Sequence, residues 1–338
     1  MGFGAASTGN EVAGRYRGVI WGRTFLITGV SPLSLGSQLA TVLAAHSPAL
    51  LILASRTLTK IEAVAARISA VHPNVKIACV QVDFSSFPSV RKAVKEIEEV
   101  LKGAGQGIHV LFNNAGINIS ERYLASEGGN MELQFVTNHL GPFLFTNLLL
   151  PYLMPSGAST YQSRIINTSS EAHRLSPIRF SDLNQEPGTV IPEEEEPRQG
   201  LPVGILRRDG RYEPMIAYGM SKCANLLMVV GLREKLDGRG FGFWAVNPGN
   251  IMTDLPRGLD EQAKANLKGI KDWKTHDQGV ATLLFAALCP GLKHDMGIYL
   301  DDCTIKKPSR WAVDKEAAEK LWKLSEEVVG LGKGGSRL

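Results

Sequence analysis

Short apolar runs alternate with longer segments of helical periodicity along most of the chain, and this alternation constrains the fold more than any other feature. The apolar runs predict seven strands, at residues 24–28, 50–54, 75–82, 108–113, 164–168, 241–247 and 297–300. Helical spacing predicts helices between them, at residues 36–45, 58–71, 86–101, 131–152 and 217–236. A strand, a helix and a second strand in succession form a parallel crossover. Because the strands lack a polar alternate face, we predict an α/β fold with a doubly wound parallel sheet of about seven strands, covered by helices on both sides.

The length of 338 residues suits one such domain with added segments. We assign residues 24–330 to a single Rossmann-type domain, with an N-terminal extension at 1–23 and a flexible tail at 331–338. Two polar stretches interrupt the alternation, an insertion at 182–214 and a loop at 250–275. Long loops at the carboxyl ends of parallel strands are where such sheets bind ligands, so the second stretch is predicted to be a substrate loop.

Composition argues against several other classes of protein. Lys and Arg number 37 against 33 Asp and Glu, and the net charge of +4 is scattered, so we expect no nucleic-acid partner. The four cysteines lie far apart, which predicts a reducing, cytoplasmic location without disulfides or a metal site. The apolar runs are too short or too interrupted for a membrane span, and none is expected.

The turn after the first predicted strand reads TGVSPLSLG and predicts a site for a dinucleotide pyrophosphate. Gly29 permits a tight turn, and Gly36 lets the following helix approach the phosphates. Ser31 and Leu35 are the other predicted contacts of this turn. Glycines between a strand and a helix also occur as plain turn chemistry, so the prediction depends on the strand ends that follow.

The ends of the next strands predict NADP(H) as the cofactor. Ser55 and Arg56 stand where an acidic residue would bind a ribose 2′-hydroxyl, and they suit a 2′-phosphate instead. The alternative is that Arg56 is an ordinary surface cation. Asp83 ends the third strand, where it could accept a hydrogen bond from an adenine amino group. Asn114 follows the fourth strand, where it could tie neighbouring strand ends together.

Tyr218 and Lys222 begin a predicted helix and lie four residues apart, on one face. A phenol that titrates at about pH 10 is a poor acid or base at neutral pH unless a nearby ammonium stabilises its anion. Such a pair arises by chance in many helices. In this chain, however, the Tyr–Lys pair does not stand alone. A strand that ends in the serine pair 169–170 precedes it, and Asn138 lies in a helix before that strand.

Together these motifs resemble the pattern of the short-chain dehydrogenase/reductase family. The TG turn, Asp83, NNAG, Asn138, the serine pair, YxxxK and PGNIMT follow one another in family order over about residues 24–300. The segments NHLGPF, SEAH and YLDDC further resemble the retinol-dehydrogenase-like branch, and its fungal members most of all.

The resemblance implies an active site of four residues. Ser170 would hold and polarise a carbonyl oxygen, and Tyr218 would deliver or remove its proton. Lys222 would lower the pKa of the tyrosine and bind the nicotinamide ribose. Asn138 would seat a water molecule that links the lysine to solvent.

The resemblance also implies a wider site and a function. Ile251 and Thr253 would lie near the nicotinamide carboxamide. The chain would be an NADP(H)-dependent oxidoreductase of secondary metabolism that interconverts a ketone or aldehyde and an alcohol on a moderately hydrophobic small molecule. Relatives commonly form dimers or tetramers, which implies a homo-oligomer. Two alternatives stay open: a nucleotide-binding sensor or scaffold without catalysis, and a non-redox rearrangement or dehydration on the same fold.

Two departures from the family pattern bear on these expectations. The turn is one residue longer than TGxxxGxG, and Ser34 stands where the middle glycine would align, so we expect a remodelled phosphate loop. Ser170 and Tyr218 are unusually far apart because the insertion lies between them, and it is either a wall of the substrate pocket or a peripheral flap. His139 and His173 are predicted to make structural hydrogen bonds only.

Overall fold

The computed structural model of the chain describes residues 2–153, 162–201, 212–251 and 272–331. Its strands are β1 Thr24–Thr28, β2 Leu50–Ser55, β3 Ile77–Gln81, β4 Val110–Asn113, β5 Ser163–Thr168, β6 Phe241–Asn247, β7 Asn250–Ile251, β8 Trp273–Lys274, β9 Tyr299–Asp301 and β10 Thr304–Ile305. Its α-helices are α1 Gly9–Arg15, α2 Arg17–Ile20, α3 Leu35–Ala44, α4 Leu58–Val71, α5 Phe87–Ala104, α6 Leu133–Phe135, α7 Gly141–Leu149, α8 Pro214–Leu236, α9 His276–Leu288 and α10 Lys315–Val328.

Eight strands form the main sheet in the order β10-β9-β6-β5-β4-β1-β2-β3. Seven of them are parallel, as predicted, and the short edge strand β10 pairs antiparallel with β9. The strand order reverses between β1 and β4, so a crevice opens beyond their carboxyl ends, where open α/β sheets bind ligands. The predicted fold class is confirmed. The prediction missed β10 because two residues carry no readable periodicity.

Both faces of the sheet are buried, which explains the continuous apolar runs. On β1, Phe25 and Ile27 join a core with helices α1, α3, α4 and α9. Leu26 points to the other face, into a core with α5, α7, α8 and α10. Alternate residues of one strand therefore bury against different helix layers, as a doubly wound sheet requires.

The long helix predicted at 131–152 is not continuous. A π-helical turn, Val136–Leu140, separates α6 from α7, and it carries Asn138. The chain after this turn passes very close to the loop beyond β3, since a Cβ at Gly141 would lie 2.2 Å from the carbonyl oxygen of Phe84. Single π turns within helices often mark functional positions.

Residues 2–23 carry helices α1 and α2, and α1 packs against α3 and α9. Thr8 and Glu11 form a capping box at the start of α1. The side chain of Phe3 packs against Phe285 of α9, and Asn10 donates two hydrogen bonds to the carboxylate of Asp277.

Helix α8 has the length and composition of a membrane span, the one such helix in the described ranges. Of its most apolar window, 94% is buried inside the domain. That burial places α8 in the core, where it carries the predicted catalytic pair Tyr218 and Lys222.

Candidate active site

An open cleft of about 580 Å³ lies at the carboxyl ends of the parallel strands. Most residues predicted from the sequence line it: Gly29, Ser31, Leu35, Ser55, Arg56, Asp83, Asn114, Ser170, Tyr218, Lys222 and Ile251. Gly36 and Asn138 lie behind the lining. Thr253 lies outside the described residues.

The turn after β1 is packed so closely that its glycines admit no side chain. Gly29 has a φ of 77°, and a Cβ there would lie 2.8 Å from the Cα of Ala115. A Cβ at Gly36 would lie 2.6 Å from the carbonyl oxygen of Gly29. The backbone N–H groups of Leu35 and Gly36 have no partner among the described residues. A concave turn with unpaired N–H groups at a helix start fits a phosphate anion.

Ser34 holds this turn through its side chain. Its hydroxyl caps α3 by accepting a hydrogen bond from the N–H of Ser37, at 3.1 Å. The same oxygen accepts from the N–H of Ser31 at 3.0 Å and donates to the Ser31 carbonyl at 2.7 Å. The left-handed conformation falls on the preceding residue, Leu33, at a φ of 61°.

Two cations border the cleft beyond β2. Arg56 is exposed, and its carbonyl accepts a hydrogen bond from the side chain of Gln81 at 2.9 Å. Lys60, on the first turns of α4, also lines the cleft. Sequence reasoning missed Lys60, although a second cation four residues after Arg56 was the available signal.

Asp83 and Asn114 both line the cleft, and the side chain of each forms hydrogen bonds within the protein. Asp83 accepts from both the N–H and the hydroxyl of Ser85, at 2.9 and 2.7 Å. Asn114 donates its side-chain amide to the carbonyl of Thr28 at 2.9 Å, and its backbone N–H donates to the Thr28 hydroxyl at 2.9 Å. Asn114 therefore ties the ends of β1 and β4 together.

Ser170 and Tyr218 meet at the wall of the cleft beyond β5. Burial raises the pKa of Tyr218 to about 12, and a hydrogen bond with the Ser170 side chain acts in the opposite direction. Tyr218 is therefore a phenol at neutral pH. The Ser170 hydroxyl also accepts from the N–H of Ala172 at 3.2 Å. These contacts leave the hydroxyls of Ser170 and Tyr218 on the same side of the cleft.

Lys222 lies one helical turn beyond Tyr218 and is buried. Its Nζ donates to the carbonyl of Thr168 at 3.0 Å and lies 5.4 Å from the centre of the Tyr218 ring. Burial lowers the pKa of Lys222 to about 8. The backbone of Lys222 is held as well, because its carbonyl accepts from the hydroxyl of Ser169 at 2.9 Å.

Asn138 supports the site from behind. Its side chain accepts from the N–H of Ile117 at 2.8 Å and donates to the carbonyl of the same residue at 2.9 Å. It also donates to the hydroxyl of Ser221 at 3.0 Å. A Cβ at Gly116 would lie 3.3 Å from both the Asn138 Oδ1 and the Lys222 Nζ. Asn138 and Lys222 thus lie close to Gly116, where a side chain would require them to shift by a few tenths of an ångström.

The two ends of the predicted substrate loop are paired. Strand β7 pairs in parallel with β8, so Ile251 lies opposite Lys274. The Lys274 ammonium forms an ion pair with Asp302 and packs on Gly249, where a Cβ would lie 2.8 Å from the lysine side chain. Residues 252–271 of this loop lie outside the described residues.

The described part of the insertion, residues 182–201 and 212–214, contributes no lining to the cleft. It docks instead on the segment that precedes α6. Tyr212 donates to the Glu132 carboxylate at 2.7 Å and accepts from the Gln134 amide at 2.6 Å. Gln134 in turn accepts from the N–H of Ile119, a lining residue, at 3.2 Å. The insertion therefore supports the wall of the cleft at Ile119 indirectly, through Gln134.

Other lining residues were not foreseen. Asn118 and Thr137 face the cleft near Tyr218, and Asn247 lies at the end of β6. Nothing in the local sequence distinguishes Asn118 or Thr137 from other polar residues. Within the described residues, no three His, Cys, Asp or Glu side chains come together as a metal site would require.

The sheet, the switch-point crevice and the glycine turn define the class of protein as a dinucleotide-binding α/β protein. The sequence model of the short chain dehydrogenase family matches residues 23–181. Three curated relatives are at least 32% identical to the chain over most of their own lengths. The chain belongs to the short-chain dehydrogenase family, in its retinol-dehydrogenase-like branch, as the sequence motifs predicted. Its substrate is a small molecule, and its chemistry is NAD(P)-dependent oxidoreduction.

The relatives span plants, fungi and mammals. The short-chain dehydrogenase TIC 32 A of Brassica napus, a chloroplastic protein, is 34% identical over 335 residues, which cover 97% of this chain and 94% of that protein. The oxidoreductase fscI of Fusarium equiseti is 34% identical over 249 residues, covering 73% and 94%. Retinol dehydrogenase 12 of Mus musculus is 32% identical over 311 residues, covering 92% and 87%.

Solved structures share the fold. A short chain dehydrogenase from Burkholderia cenocepacia in complex with NADP gives a TM-score of 0.57 at 22% identity, covering 80% of this chain and 93% of that one. The NADPH-bound carbonyl reductase from chicken fatty liver gives 0.53 at 22% identity, covering 80% and 92%.

The expected cytoplasmic location is wrong on these comparisons. Two Brassica napus relatives that span almost the whole chain are chloroplastic proteins. Unpaired cysteines indicate a reducing environment, and all four here are free, but several compartments are reducing. That inference therefore could not single out the cytoplasm.

Proposed function

We propose that the chain is an NADP(H)-dependent oxidoreductase that interconverts a ketone or aldehyde and an alcohol on a moderately hydrophobic small molecule. The observation that carries the proposal is the convergence of three groups at one wall of the cleft. Ser170, Tyr218 and Lys222 all line that wall, the Ser170 side chain lowers the pKa of Tyr218 against the effect of burial, and the Lys222 Nζ lies 5.4 Å from the centre of the tyrosine ring. The name of the mouse relative, a retinol dehydrogenase, supports an apolar substrate.

The residues of the cleft fit the cofactor. The turn that contains Gly29 and Gly36 would offer the unpaired N–H groups of Leu35 and Gly36 to a pyrophosphate, and Arg56 with Lys60 would hold a 2′-phosphate. Asp83 would accept from the adenine, and Ile251 and Thr253 would border the nicotinamide. When bound, this cofactor supplies or accepts the hydride.

The chain's own groups orient the substrate and move its proton. The Ser170 hydroxyl donates to the substrate oxygen and polarises the carbonyl. Tyr218, a phenol at neutral pH, gives its proton to that oxygen during reduction. Lys222, held by the Thr168 carbonyl, binds the ribose and stabilises the tyrosinate that remains. Asn138 fixes the backbone at Ile117 and seats the water that returns a proton through Lys222.

Replacing Tyr218 tests the proton transfer. We expect Tyr218→Phe to lower kcat by about 100-fold or more, since general acid catalysis contributes at least that factor. The dissociation constant for NADPH should change by no more than about twofold, because the lost hydroxyl serves proton transfer. Turnover would be followed as NADPH oxidation with hexanal, benzaldehyde, acetophenone and cyclohexanone, and binding by NADPH fluorescence. NADPH binding without turnover of any carbonyl by the wild type would favour a sensor, and unchanged activity in Tyr218→Phe would contradict the assigned role.

Replacing Arg56 tests the cofactor preference. Arg56→Ala should lower kcat/KM for NADPH by about 10- to 100-fold, the value of one charge-assisted hydrogen bond. The value for NADH should stay within about twofold, because NADH carries no 2′-phosphate. Arg67→Ala is the matched control, since Arg67 is an exposed arginine on α4, the helix that follows Arg56, and does not line the cleft. Equal losses with both cofactors would show that Arg56 does not read the 2′-phosphate.

A further inference from the structure

A buried histidine lies directly behind the proposed catalytic serine. His173 belongs to the 3-10 helix Glu171–Arg174, which begins immediately after Ser170, and its side chain is fully buried. The carbonyl of Ser170 accepts from the backbone N–H of His173 at 3.1 Å. The Nδ1 atom of His173 lies 2.6 Å from the same oxygen. One residue therefore engages the Ser170 carbonyl twice.

The partner on the other ring nitrogen fixes the tautomer. The backbone N–H of Ser309 donates to the His173 Nε2 at 3.2 Å, so Nε2 carries no proton. A neutral imidazole then has its proton on Nδ1, which donates to the Ser170 carbonyl. Burial lowers the pKa of His173 to about 4, so the ring is neutral at physiological pH.

The charged groups around His173 are themselves paired. Arg174 bonds to the Glu171 carboxylate at 2.6 Å, and the Tyr299 hydroxyl donates to the same carboxylate at 2.7 Å. The Tyr299 ring packs edge-on against the imidazole, with centroids 4.9 Å apart. The Arg174 cation opposes protonation of the ring and the Glu171 carboxylate favours it, and burial is the largest influence on the pKa of His173.

The C-terminal segment clamps the whole 3-10 helix. Trp311 donates its indole N–H to the carbonyl of His173 at 3.0 Å, and Arg174 donates to the carbonyl of Lys307 at 2.9 Å. On the opposite side the helix packs on α8 beside Tyr218, where a Cβ at Gly219 would lie 2.6 Å from the carbonyl of Ala172. A shift of this helix would change the distance between the Ser170 and Tyr218 hydroxyls.

We propose that His173 is a positioning residue for Ser170, and that the Ser309 N–H sets the imidazole tautomer that holds the serine in place. This role rests on the proposed function, in which Ser170 polarises the substrate carbonyl. Loss of the Nδ1–H bond lets Ser170 move away from Tyr218. The serine then polarises the substrate less well, and the hydrogen bond that lowers the pKa of Tyr218 weakens.

The first test removes the donor to Nε2, and the proline ring that takes its place also crowds the imidazole. Ser309 has a φ of −62°, which proline adopts, and its side chain caps nothing. Ser309→Pro removes the N–H, whereas the control Ser309→Ala removes only the hydroxyl. In Ser309→Pro, nitrogen NMR of labelled histidines should show His173 losing its single Nδ1–H form. Its kcat with NADPH and the best carbonyl of the panel should fall about tenfold, with KM within about twofold. Equal behaviour of the two variants, by NMR or by kcat, would overturn the proposal.

The second test removes the donor itself. Asparagine places an amide near the position of Nδ1, and leucine has a similar volume without a donor. We expect His173→Asn to keep a kcat about tenfold above that of His173→Leu at comparable thermal stability. In His173→Leu, the pH at which alcohol oxidation reaches half its maximum should move upward, because Tyr218 loses the help of Ser170. Identical rates and pH profiles for the two variants would contradict the role.

A failure of the proposed function would look different. In that case Ser170→Ala would turn over the substrate as fast as the wild type. If only the positioning role is wrong, Ser170→Ala is inactive while Ser309→Pro keeps full activity. Should His173→Leu fail to fold, the Ser309 pair alone decides, since Ser309 is only half-buried and begins a short 3-10 helix.

Discussion

At the scale of single residues, Ser34 stands where a glycine would align in the family pattern. A glycine would supply conformational freedom at this position, whereas Ser34 supplies hydrogen bonds. Its hydroxyl caps α3 and closes the turn on Ser31. The left-handed conformation moves to Leu33, a residue with a Cβ, at some cost in strain. The turn after β1 is therefore held by the side chain of Ser34.

Replacing Ser34 should expose that dependence. Ser34→Ala is expected to lower the free energy of unfolding by about 1 kcal/mol, the usual cost of losing an N-cap. NADPH should also bind more weakly, because the turn loses both bonds between Ser34 and Ser31. Urea unfolding and NADPH fluorescence titration would measure the two effects. Thr41→Ala, which removes a hydroxyl from the same helix, should stay within about 0.5 kcal/mol, and an equally small effect at Ser34 would refute the interpretation.

At the scale of elements, the last strands of the sheet support both walls of the site. The hydroxyl of Tyr299 on β9 donates to Glu171, the residue next to Ser170. Asp301, at the end of the same strand, accepts from the side chain of Asn247 at 3.0 Å, and Asp302 pairs with Lys274 beside the turn after β6. In the sequence the YLDDC segment serves only as a sign of the resemblance. In the structure its side chains hold residues on both sides of the cleft.

The insertion acts on the site through its anchor, Tyr212. Glu132 is buried, and burial raises its pKa, while bonds from backbone N–H groups and from the Tyr212 hydroxyl oppose that shift. Its carboxylate caps α6, the helix that leads to Asn138. The described insertion residues are thus neither a direct wall nor a detached flap.

Removing one hydroxyl tests the anchor. Tyr212→Phe should lower the free energy of unfolding by about 1–3 kcal/mol, because a buried carboxylate loses a donor. It should also raise KM for the carbonyl substrate, since Gln134 would no longer hold Ile119 at the rim. Tyr123→Phe is the control, an exposed tyrosine bonded to Glu121, and should change stability by less than about 0.5 kcal/mol. Matching results for the two variants would mean that the insertion is not anchored through Tyr212.

At the scale of the whole molecule, burial keeps three histidines neutral. It lowers the pKa values of His109 and His173 to about 4 and that of His139 to about 3, with nearby arginines adding to the effect at His109 and His173. Their native contacts suit neutral rings: His139 Nε2, for example, lies 2.9 Å from the Ser325 hydroxyl, which itself donates to Leu321. Protons are therefore taken up on unfolding.

The stability should consequently fall on acidification. Above a pH of about 6.5, the ordinary histidine value, the native and unfolded states bind equal numbers of these protons. Between about 6.5 and 4 the unfolded state binds more, so each histidine lowers the free energy of unfolding by up to about 1.4 kcal/mol per pH unit. Urea unfolding at a series of pH values would measure this slope. His139→Leu should reduce the slope by about a third, and a flat profile between about pH 7 and 5 would contradict the prediction.

The sequence by itself determined the sheet and the order of the site. Strands buried on both faces must be apolar throughout, and the carboxyl ends of parallel strands must share one edge, so Asp83 and Ser170 could be placed at that edge from the sequence. Tyr218, which lies on a helix, was joined to them only by the resemblance to the family. The same logic placed Gly29 and Gly36, whose close packing the structure shows in detail.

Only the tertiary structure decided what supports that site. The bond from Ser309 to His173 spans 136 residues, and the bond from Tyr212 to Glu132 spans 80. No local periodicity records such pairs, because each depends on how two distant elements pack. For the same reason the sequence could say that His173 makes structural hydrogen bonds, but not that one of them is to the backbone of Ser170.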